Sequence, residues 1–553
     1  GPASGEVMGM VAGRNGRYSR NVGQIVATLP VFWILDGVSR VADLRIVLIS
    51  FWSGTILAGG VLLGRITDRD RLCQVVAVAG AIVLFTINLS TATELEHRWI
   101  ALLALQLTSG AAAALTGVMV YRLIGRLHDG RAGLVAGACV ILATPIGFWA
   151  MIPKRHTYMA LAAVITVYSF YRSRDAQVSS EALQFRALAY GSVGLSTWIQ
   201  AGEAFTMFVS LVIVDLYTAP TNSRRELGIV AGVFGLSMIP FLVTNLVISG
   251  NPLMPPMLLP KYQDAVAATS ASGSLAGGSG PSPGDVATSS IPILIHTVQF
   301  IESVGIKGIE QVNRFTSLVS RGSNVLTDPE RLMQIFVRGG YIQTVAIKDH
   351  GAAINLALLE AMPIAGALIL VPRVIGRKLL SRSSICVEPT DLLVGMYGVI
   401  LTLFYLPRLP LHAMITVRYL LPVMPLIVYG AFRFTSIRRL LAFPRELLFS
   451  YIGTVIIGSQ IILTYLIIHD ATIGESFQVH AWLSLIIVGC FSLWLLLQPY
   501  LSTRVIPIGA VIFGCLCGLT TSFLLLSGGL YFASPSGYML PVVQWVSERL
   551  LWV

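Results

Sequence analysis

Apolar runs of membrane-spanning length, joined by short arginine-rich connections, constrain this chain more than any other feature. Runs such as 44–64 (LRIVLISFWSGTILAGGVLLG), 447–468 (LLFSYIGTVIIGSQIILTYLII) and 505–527 each exceed eighteen nearly uncharged residues, enough to cross a hydrocarbon layer as a helix. With 55% hydrophobic and only 12% charged residues over 553 positions, the chain is too apolar for a soluble domain of its size. The expected fold is all-α: a polytopic membrane protein with about fourteen spanning or re-entrant helices.

The spans fall at 44–64, 72–91, 99–125, 132–152, 157–172, 186–201, 203–217, 227–248, 352–372, 391–407, 413–433, 447–468, 480–498 and 505–527. One set of connections then holds Arg65, Arg69, Arg71, Arg122, Arg126, Arg131, Arg172, Arg174, Arg186, Arg224 and Arg225. In the second half it holds Arg373, Arg377, Lys378, Arg382, Arg433, Arg438, Arg439, Arg445 and Arg504. Packing of 20 of the 38 basic residues into these short loops marks that side as cytoplasmic. The net charge of +11 therefore reads as topology, with no nucleic-acid partner. The apolar segment 22–38 is expected to lie as a surface helix on the outer side, because counting it as a span would invert every later loop.

Four regions follow from this bookkeeping. Residues 1–43 form a first external loop with its surface helix, and 44–248 an N-terminal transmembrane bundle. Residues 249–350 form a long external loop, flexible over the Ser/Gly/Ala/Pro-rich stretch 263–290, and 351–553 a C-terminal transmembrane bundle. The chain opens Gly-Pro-Ala-Ser without an initiator Met or a first spanning helix, as a fragment or processed piece would. The six cysteines are scattered, with neither a disulfide framework nor zinc-ligand spacing.

Candidate chemistry gathers on the outer side. Lys154-Arg155-His156 follow the fourth span, where two cations and an imidazole at headgroup level suit a phosphate. The alternative is interfacial anchoring beside Trp149 and Tyr158. Arg418, next to Tyr419, lies about one and a half helical turns in from His412, roughly 8–9 Å below the surface. A guanidinium at that depth either snorkels or pairs with an anion in a cavity, and Arg408 and His412 extend the same rim. Gln200 and Glu203 sit in a turn joining two short spans. Glu203 there is a candidate base, sugar-hydroxyl acceptor or metal ligand, or a solvated turn carboxylate at a helix start. The first external segment contributes Glu6 as a carboxylate able to deprotonate an acceptor hydroxyl. Arg17, Tyr18 and Arg20 beside it are placed to steer an anionic donor.

Five stretches together carry a family resemblance: GRNGRYSRNVGQIVATLP, TPIGFWAMIPKRHTYMA, GLSTWIQAGEAF, VTNLVISGNPLMPP and TVRYLLPVMPL. Their order and sidedness resemble the GT-C superfamily of integral-membrane glycosyltransferases, particularly archaeal proteins of the protein-mannosyltransferase and aminoarabinose-transferase kind. The matching stretches lie within residues 13–430; 431–553 add spans without a matching motif. The resemblance implies transfer of a sugar from a polyprenyl-phosphate-linked donor to a lipid, protein or glycan acceptor, on the extracytoplasmic face of the cell membrane. It places Lys154, Arg155, His156 and Arg418 at positions that contact the donor phosphate. It also expects an acidic catalytic residue directly after a first spanning helix, and only Glu6 is near that position here; the usual Asp or Asp-Glu pair is not visible. No cofactor is required with certainty, and a divalent metal stays open. The competing readings are a lipid-linked glycan ligase or polymerase, and a polytopic transporter or flippase. The absence of a clear internal repeat and the clustering of charges near one face argue against transport.

Overall fold

The computed structural model describes residues 22–67, 70–92, 95–253, 313, 315–340, 356–380, 387–409, 417–469, 471 and 473–528. Every regular element among them is helical, and nine helices are long and apolar enough to cross a membrane. The chain is an all-α polytopic membrane protein. It divides into two compact units, residues 25–110 and residues 1–24 with 111–553.

The smaller unit contains most of α1 (Gly23–Ser39), α2 (Leu44–Thr67), α3 (Asp70–Thr91) and the start of α4 (Ile100–Leu127). Its core is small, formed by Leu35, Leu44, Ile100 and Ala104. Asp36 pairs with Arg40 at 2.6 Å and lies 3.4 Å from His97. Phe51, Trp52, Val75 and Val76 remain exposed, as expected where acyl chains replace protein neighbours.

The larger unit begins with the rest of α4 packed closely on α5 (Gly130–Leu142). A Cβ on Gly133 would sit 2.6 Å from the Tyr121 carbonyl, and one on Gly137 would sit 2.8 Å from that of Gly117. Small residues at this spacing let two helix backbones approach where larger side chains would hold them apart. The expected single span 132–152 is interrupted. The Thr144 hydroxyl bonds back to the Val140 carbonyl and accepts the Ile146 amide at 3.2 Å, and Pro145, lacking an amide hydrogen, starts the short helix α6 (Ile146–Ala150). After Pro153 the chain enters α7 (His156–Asp175).

Helix α8 (Ser179–Thr218) is folded back on itself. Gln200 has φ −153° and ψ 94°, outside helical values. Arg186 Nε donates to Asp215 Oδ2 at 2.9 Å and Tyr190 OH donates to the same oxygen at 2.9 Å. In a straight helix residues 186 and 215 would lie roughly 44 Å apart, so the two legs run antiparallel about Gln200. Arg174, at the end of α7, also donates to Asp215 at 2.6 Å. One buried carboxylate thus ties three segments at the end of the hairpin opposite the turn. Helix α9 (Arg224–Ser249) follows, opened by a Ser223/Glu226 capping box.

The second half is less regular than its hydropathy implies. Leu358–Ala361 and a 3₁₀ segment Pro363–Ile369 precede α10 (Leu370–Leu380), and α11 (Pro389–Tyr405) is continuous. The expected span 413–433 is instead a 3₁₀ segment Arg418–Val423 followed by α12 (Met424–Arg433). Pro422 and Pro425 each remove a donor that a regular α-helix would use. Next come α13 (Pro444–Gly453), a π turn Thr454–Gly458, α14 (Ser459–Ile468), α15 (Ile473–Leu497) and α16 (Ile506–Phe523). The core of this unit contains Phe148, Tyr397, Tyr405, Tyr429, Phe432, Phe491 and Phe513. The stretch 263–290 lies outside the described residues. Within the same long insertion, Arg331 donates to the carbonyls of Leu409 and Pro407 at 2.6 and 2.7 Å, fixing the turn after α11.

Asp215 is 0% exposed, so removing it leaves Arg174 and Arg186 half-buried or buried without their counter-charge. Breaking such a pair typically costs ~3–5 kcal/mol. Asp215→Ala is expected to lower the thermal denaturation midpoint of the detergent-solubilised protein clearly. An unchanged midpoint would contradict the clamp.

Candidate functional site

The site forms where three chain segments far apart in sequence meet at the turn end of the α8 hairpin. Lys154 and Arg155 lie on the short link between α6 and α7, and His156 opens α7. The kink at Gln200 carries Glu203 toward them, and the 3₁₀ segment contributes Arg418 and Tyr419. Helix α7 has 20 residues, so this cluster lies about 30 Å from the Arg172–Asp175 end of the same helix, the thickness of a hydrocarbon core.

Trp149 is the hub. It is 3% exposed and presented inward by α6. Lys154 Nζ lies 5.5 Å from its ring centroid and Arg418 Cζ 5.8 Å, both within cation–π range. Arg418 Cζ is also 5.3 Å from the Tyr419 ring. His156 is buried at 3% exposure, edge-on to Trp149 at 6.0 Å and to Tyr419 at 5.4 Å. The aromatic contacts continue from Tyr419 to Tyr405 at 5.0 Å and on to Phe404 at 5.0 Å. These rings hold the cationic side chains against an apolar wall, where charge is poorly screened.

Opposite the cations sits Glu203, fully buried. Its Oε1 accepts a hydrogen bond from Tyr405 OH at 2.6 Å and lies 3.8 Å from Arg155 Nε. Gly202, one residue earlier, is packed on Phe404, so that a Cβ there would meet its ring at 3.2 Å. Three buried polar atoms of this group, His156 Nδ1, Arg155 Nε and Glu203 Oε2, have no hydrogen-bond partner in the protein. Buried polar atoms are ordinarily paired, so the three together make this the candidate site for a polar ligand.

The remaining candidates are placed as follows. Gln200 is buried at the kink itself. Arg408 lies 5.5 Å over the Phe404 ring, beside the aromatic row. Glu6, Arg17, Tyr18 and Arg20 lie outside the described residues, as does His412. At Gly23 a Cβ would sit 2.5 Å from the Trp198 carbonyl oxygen, two residues before the kink at Gln200. Among the described residues no group of three His, Cys, Asp or Glu side chains is arranged to hold a metal ion.

Two participants carried no sequence signal. Tyr405 is an ordinary aromatic at a helix end in FYLPRLP, and its partnership with Glu203 spans 202 positions. The second is a separate polar clamp in the same unit. Arg338 Nη1 donates to Glu360 Oε1 at 2.7 Å, and Glu360 Oε2 accepts the amides of Gly339 and Ala357 at 3.0 and 2.8 Å. This clamp fixes the ends of two loop segments and presents no orphaned atom of Glu360.

The fold and site thus define a polytopic helical membrane protein with a buried-edge cationic and aromatic site between helix ends. Neither a known family profile nor any curated protein matches the chain. Two solved structures are similar to it: ArnT from Cupriavidus metallidurans in the apo state and the same protein bound to undecaprenyl phosphate. Identity is 13% and the TM-score 0.36 in both, over 78% and 77% of this chain and 63% of those chains. The chain therefore spans less than two thirds of their length.

The electrostatics make one feature measurable. Lys154 reaches solvent, but its ammonium is partly stripped of water and stands beside Arg418 and Arg155. Desolvation first, and then repulsion from these two guanidiniums, brings its pKa down from 10.5 to about 8. The charged form of Lys154 is therefore lost as pH rises through about 8 in the unliganded protein, while a phosphate monoester, with its second pKa near 6, is already dianionic. Affinity for a phosphate ligand is expected to fall about tenfold between pH 7 and 9. Lys154→Arg, which stays charged, should flatten that decline. Titrating a short-chain polyprenyl phosphate at several pH values checks this, and identical profiles in parent and variant would remove Lys154 from the site.

Proposed function

We propose that this protein transfers a sugar from a polyprenyl-phosphate-linked donor to an acceptor on the outer face of the membrane, as a glycosyltransferase of the GT-C kind. The observation that carries this reading is the convergence of Lys154 and His156 with Arg418 around Trp149, although 262 positions separate His156 from Arg418. Simple interfacial anchoring gives no reason for basic side chains from separate segments to meet at one buried ring. A shared anionic ligand does.

The residues suit the chemistry. When an acceptor hydroxyl attacks the anomeric carbon, the C–O bond to phosphate breaks and the donor's phosphodiester becomes a phosphate monoester. The sugar passes through an oxocarbenium-like state while the leaving oxygen gains negative charge. Lys154, Arg155 and Arg418 would meet that developing charge in surroundings of low polarity, where fixed cations are most effective. His156 would donate to a phosphate oxygen, and Tyr419 and Trp149 would lie against the sugar or the first isoprene unit. The acceptor's proton goes to a carboxylate. Of the two candidates, Glu6 belongs to the first external segment, and Glu203 is sealed inside the protein. Gln200, Arg17, Tyr18 and Arg20 remain the candidates for contacts to donor and acceptor.

The outer-face assignment is supported by charge. The arginine-rich connections contain Arg172, Arg174 and Arg186, which gather at the end of the α7–α8 pair opposite the site.

Native mass spectrometry of gently purified protein tests the reading. The parent is expected to retain, or take up when it is added, a polyprenyl phosphate or its sugar conjugate. The Lys154→Ala/Arg418→Ala double variant is expected to lose it while keeping its helical content. Failure of the parent to bind added polyprenyl phosphate would overturn the proposal and bring transport to the front.

A further inference from the structure

We infer that Glu203 is a positioning residue, acting with Tyr405 to set the orientation of Arg155 toward the donor phosphate, and that it is not the base. This rests on the proposed function and assigns the buried carboxylate a role within it.

The geometry favours this role over the more obvious one. A general base must come within hydrogen-bond reach of the proton it removes. Glu203 is 0% exposed, and its Oε1 is already engaged by the Tyr405 hydroxyl at 2.6 Å. The side of Glu203 that meets a charged group meets Arg155 Nε, at 3.8 Å. That nitrogen is buried, whereas the Arg155 side chain as a whole is 32% exposed. The carboxylate thus holds one edge of the guanidinium inside the protein while the rest of the side chain stays accessible. A planar fork restrained along one edge loses little further freedom when its other donors engage an anion.

Electrostatics supply the reason for the pairing. Lys154, Arg155 and Arg418 are like charges at one site: burial first, and then the two guanidiniums, hold the Lys154 pKa below its ordinary value. Without ligand, Arg155 would be driven outward, away from the other two. Glu203 offsets that repulsion from the protein side and keeps Arg155 in the cluster before phosphate arrives. Burial serves this purpose, because a solvated carboxylate would be screened and would itself compete with the incoming anion. Tyr405 fixes the carboxylate in turn. Its place at the end of α11, with Gly202 packed on Phe404, links the α8 turn to α11.

The test uses affinity for polyprenyl phosphate, the leaving group, which a base removing the acceptor proton would not control. Glu203→Gln keeps the side-chain volume and can still accept from Tyr405, but it removes the charge. Glu203→Gln and Arg155→Gln are each expected to weaken binding of added polyprenyl phosphate about tenfold, and the double variant to be no weaker than Arg155→Gln alone. Normal affinity in Glu203→Gln, or losses that multiply in the double variant, would overturn the inference. If Glu203→Gln does not fold, Tyr405→Phe is the second probe. It should weaken binding in the parent and have no effect once Arg155 is Gln, and unchanged affinity in the parent background would overturn the inference. A parent that binds no polyprenyl phosphate overturns the functional reading and this inference together. A parent that binds while the variants behave independently overturns this inference alone.

Discussion

Two buried carboxylates, one near each end of the α8 hairpin, hold the arrangement on which the rest of the structure depends. At the far end Asp215 takes Arg174, Arg186 and Tyr190, drawing the end of α7 and both legs of α8 together. At the turn Glu203 takes Tyr405 and Arg155, joining that turn to α11 and to the loop before α7. A charge moved from water into a protein interior is costly unless it is paired, so each carboxylate specifies its neighbours strongly. With the legs clamped antiparallel, the extended backbone at Gln200 has one place to go, beside Lys154, Arg155 and His156. The site is therefore a consequence of how the hairpin is closed.

The same economy of charge distinguishes the two ends. At the Asp215 end Arg174 and Arg186 donate to carboxylate, carbonyl and amide oxygens, including those of Thr221 and Asn222. Such a network is structural. At the turn end, basic groups gather on aromatic faces, and His156 Nδ1, Arg155 Nε and Glu203 Oε2 make no hydrogen bond within the protein. Aromatic faces attract cations without neutralising their charge, a condition that suits a site that binds and releases an anion. A leaving phosphate that becomes more negative as its bond to sugar breaks would be held more tightly late in the reaction than early, the direction that lowers a barrier.

Much of this was legible in the sequence, for identifiable reasons. Spanning helices announce themselves by apolar length, and α2, α3, α4, α9, α11 and α16 lie where hydropathy places them. The turn between two short spans at 198–203 was readable because Gln200, Gly202 and Glu203 interrupt an apolar run, and the non-helical backbone sits at Gln200 itself. Lys154, Arg155, His156 and Arg418 stood out because charge near lipid requires a reason. What stayed hidden was pairing across distance. Nothing in a single sequence ties Tyr405 to Glu203, or identifies Asp215 as the counter-charge of Arg186 rather than a span-end carboxylate. Local backbone was also missed where proline decides it: Pro145 divides one expected span into α5 and α6, and Pro422 with Pro425 turns another into a 3₁₀ entry followed by α12. The first-segment candidates Glu6, Arg17, Tyr18 and Arg20 lie outside the described residues.

The central claim is that a lipid phosphate is held between the α6–α7 link and the 3₁₀ segment that begins at Arg418. Photo-cross-linking tests it most directly, using a polyprenyl phosphate with a diazirine on its first isoprene unit and mapping the adduct by peptide mass spectrometry. The account predicts saturable labelling of peptides around Trp149–Tyr158 and Arg418–Met424, suppressed by excess unlabelled lipid phosphate. Saturable labelling confined to the 25–110 unit, or labelling that excess lipid does not suppress, would contradict it.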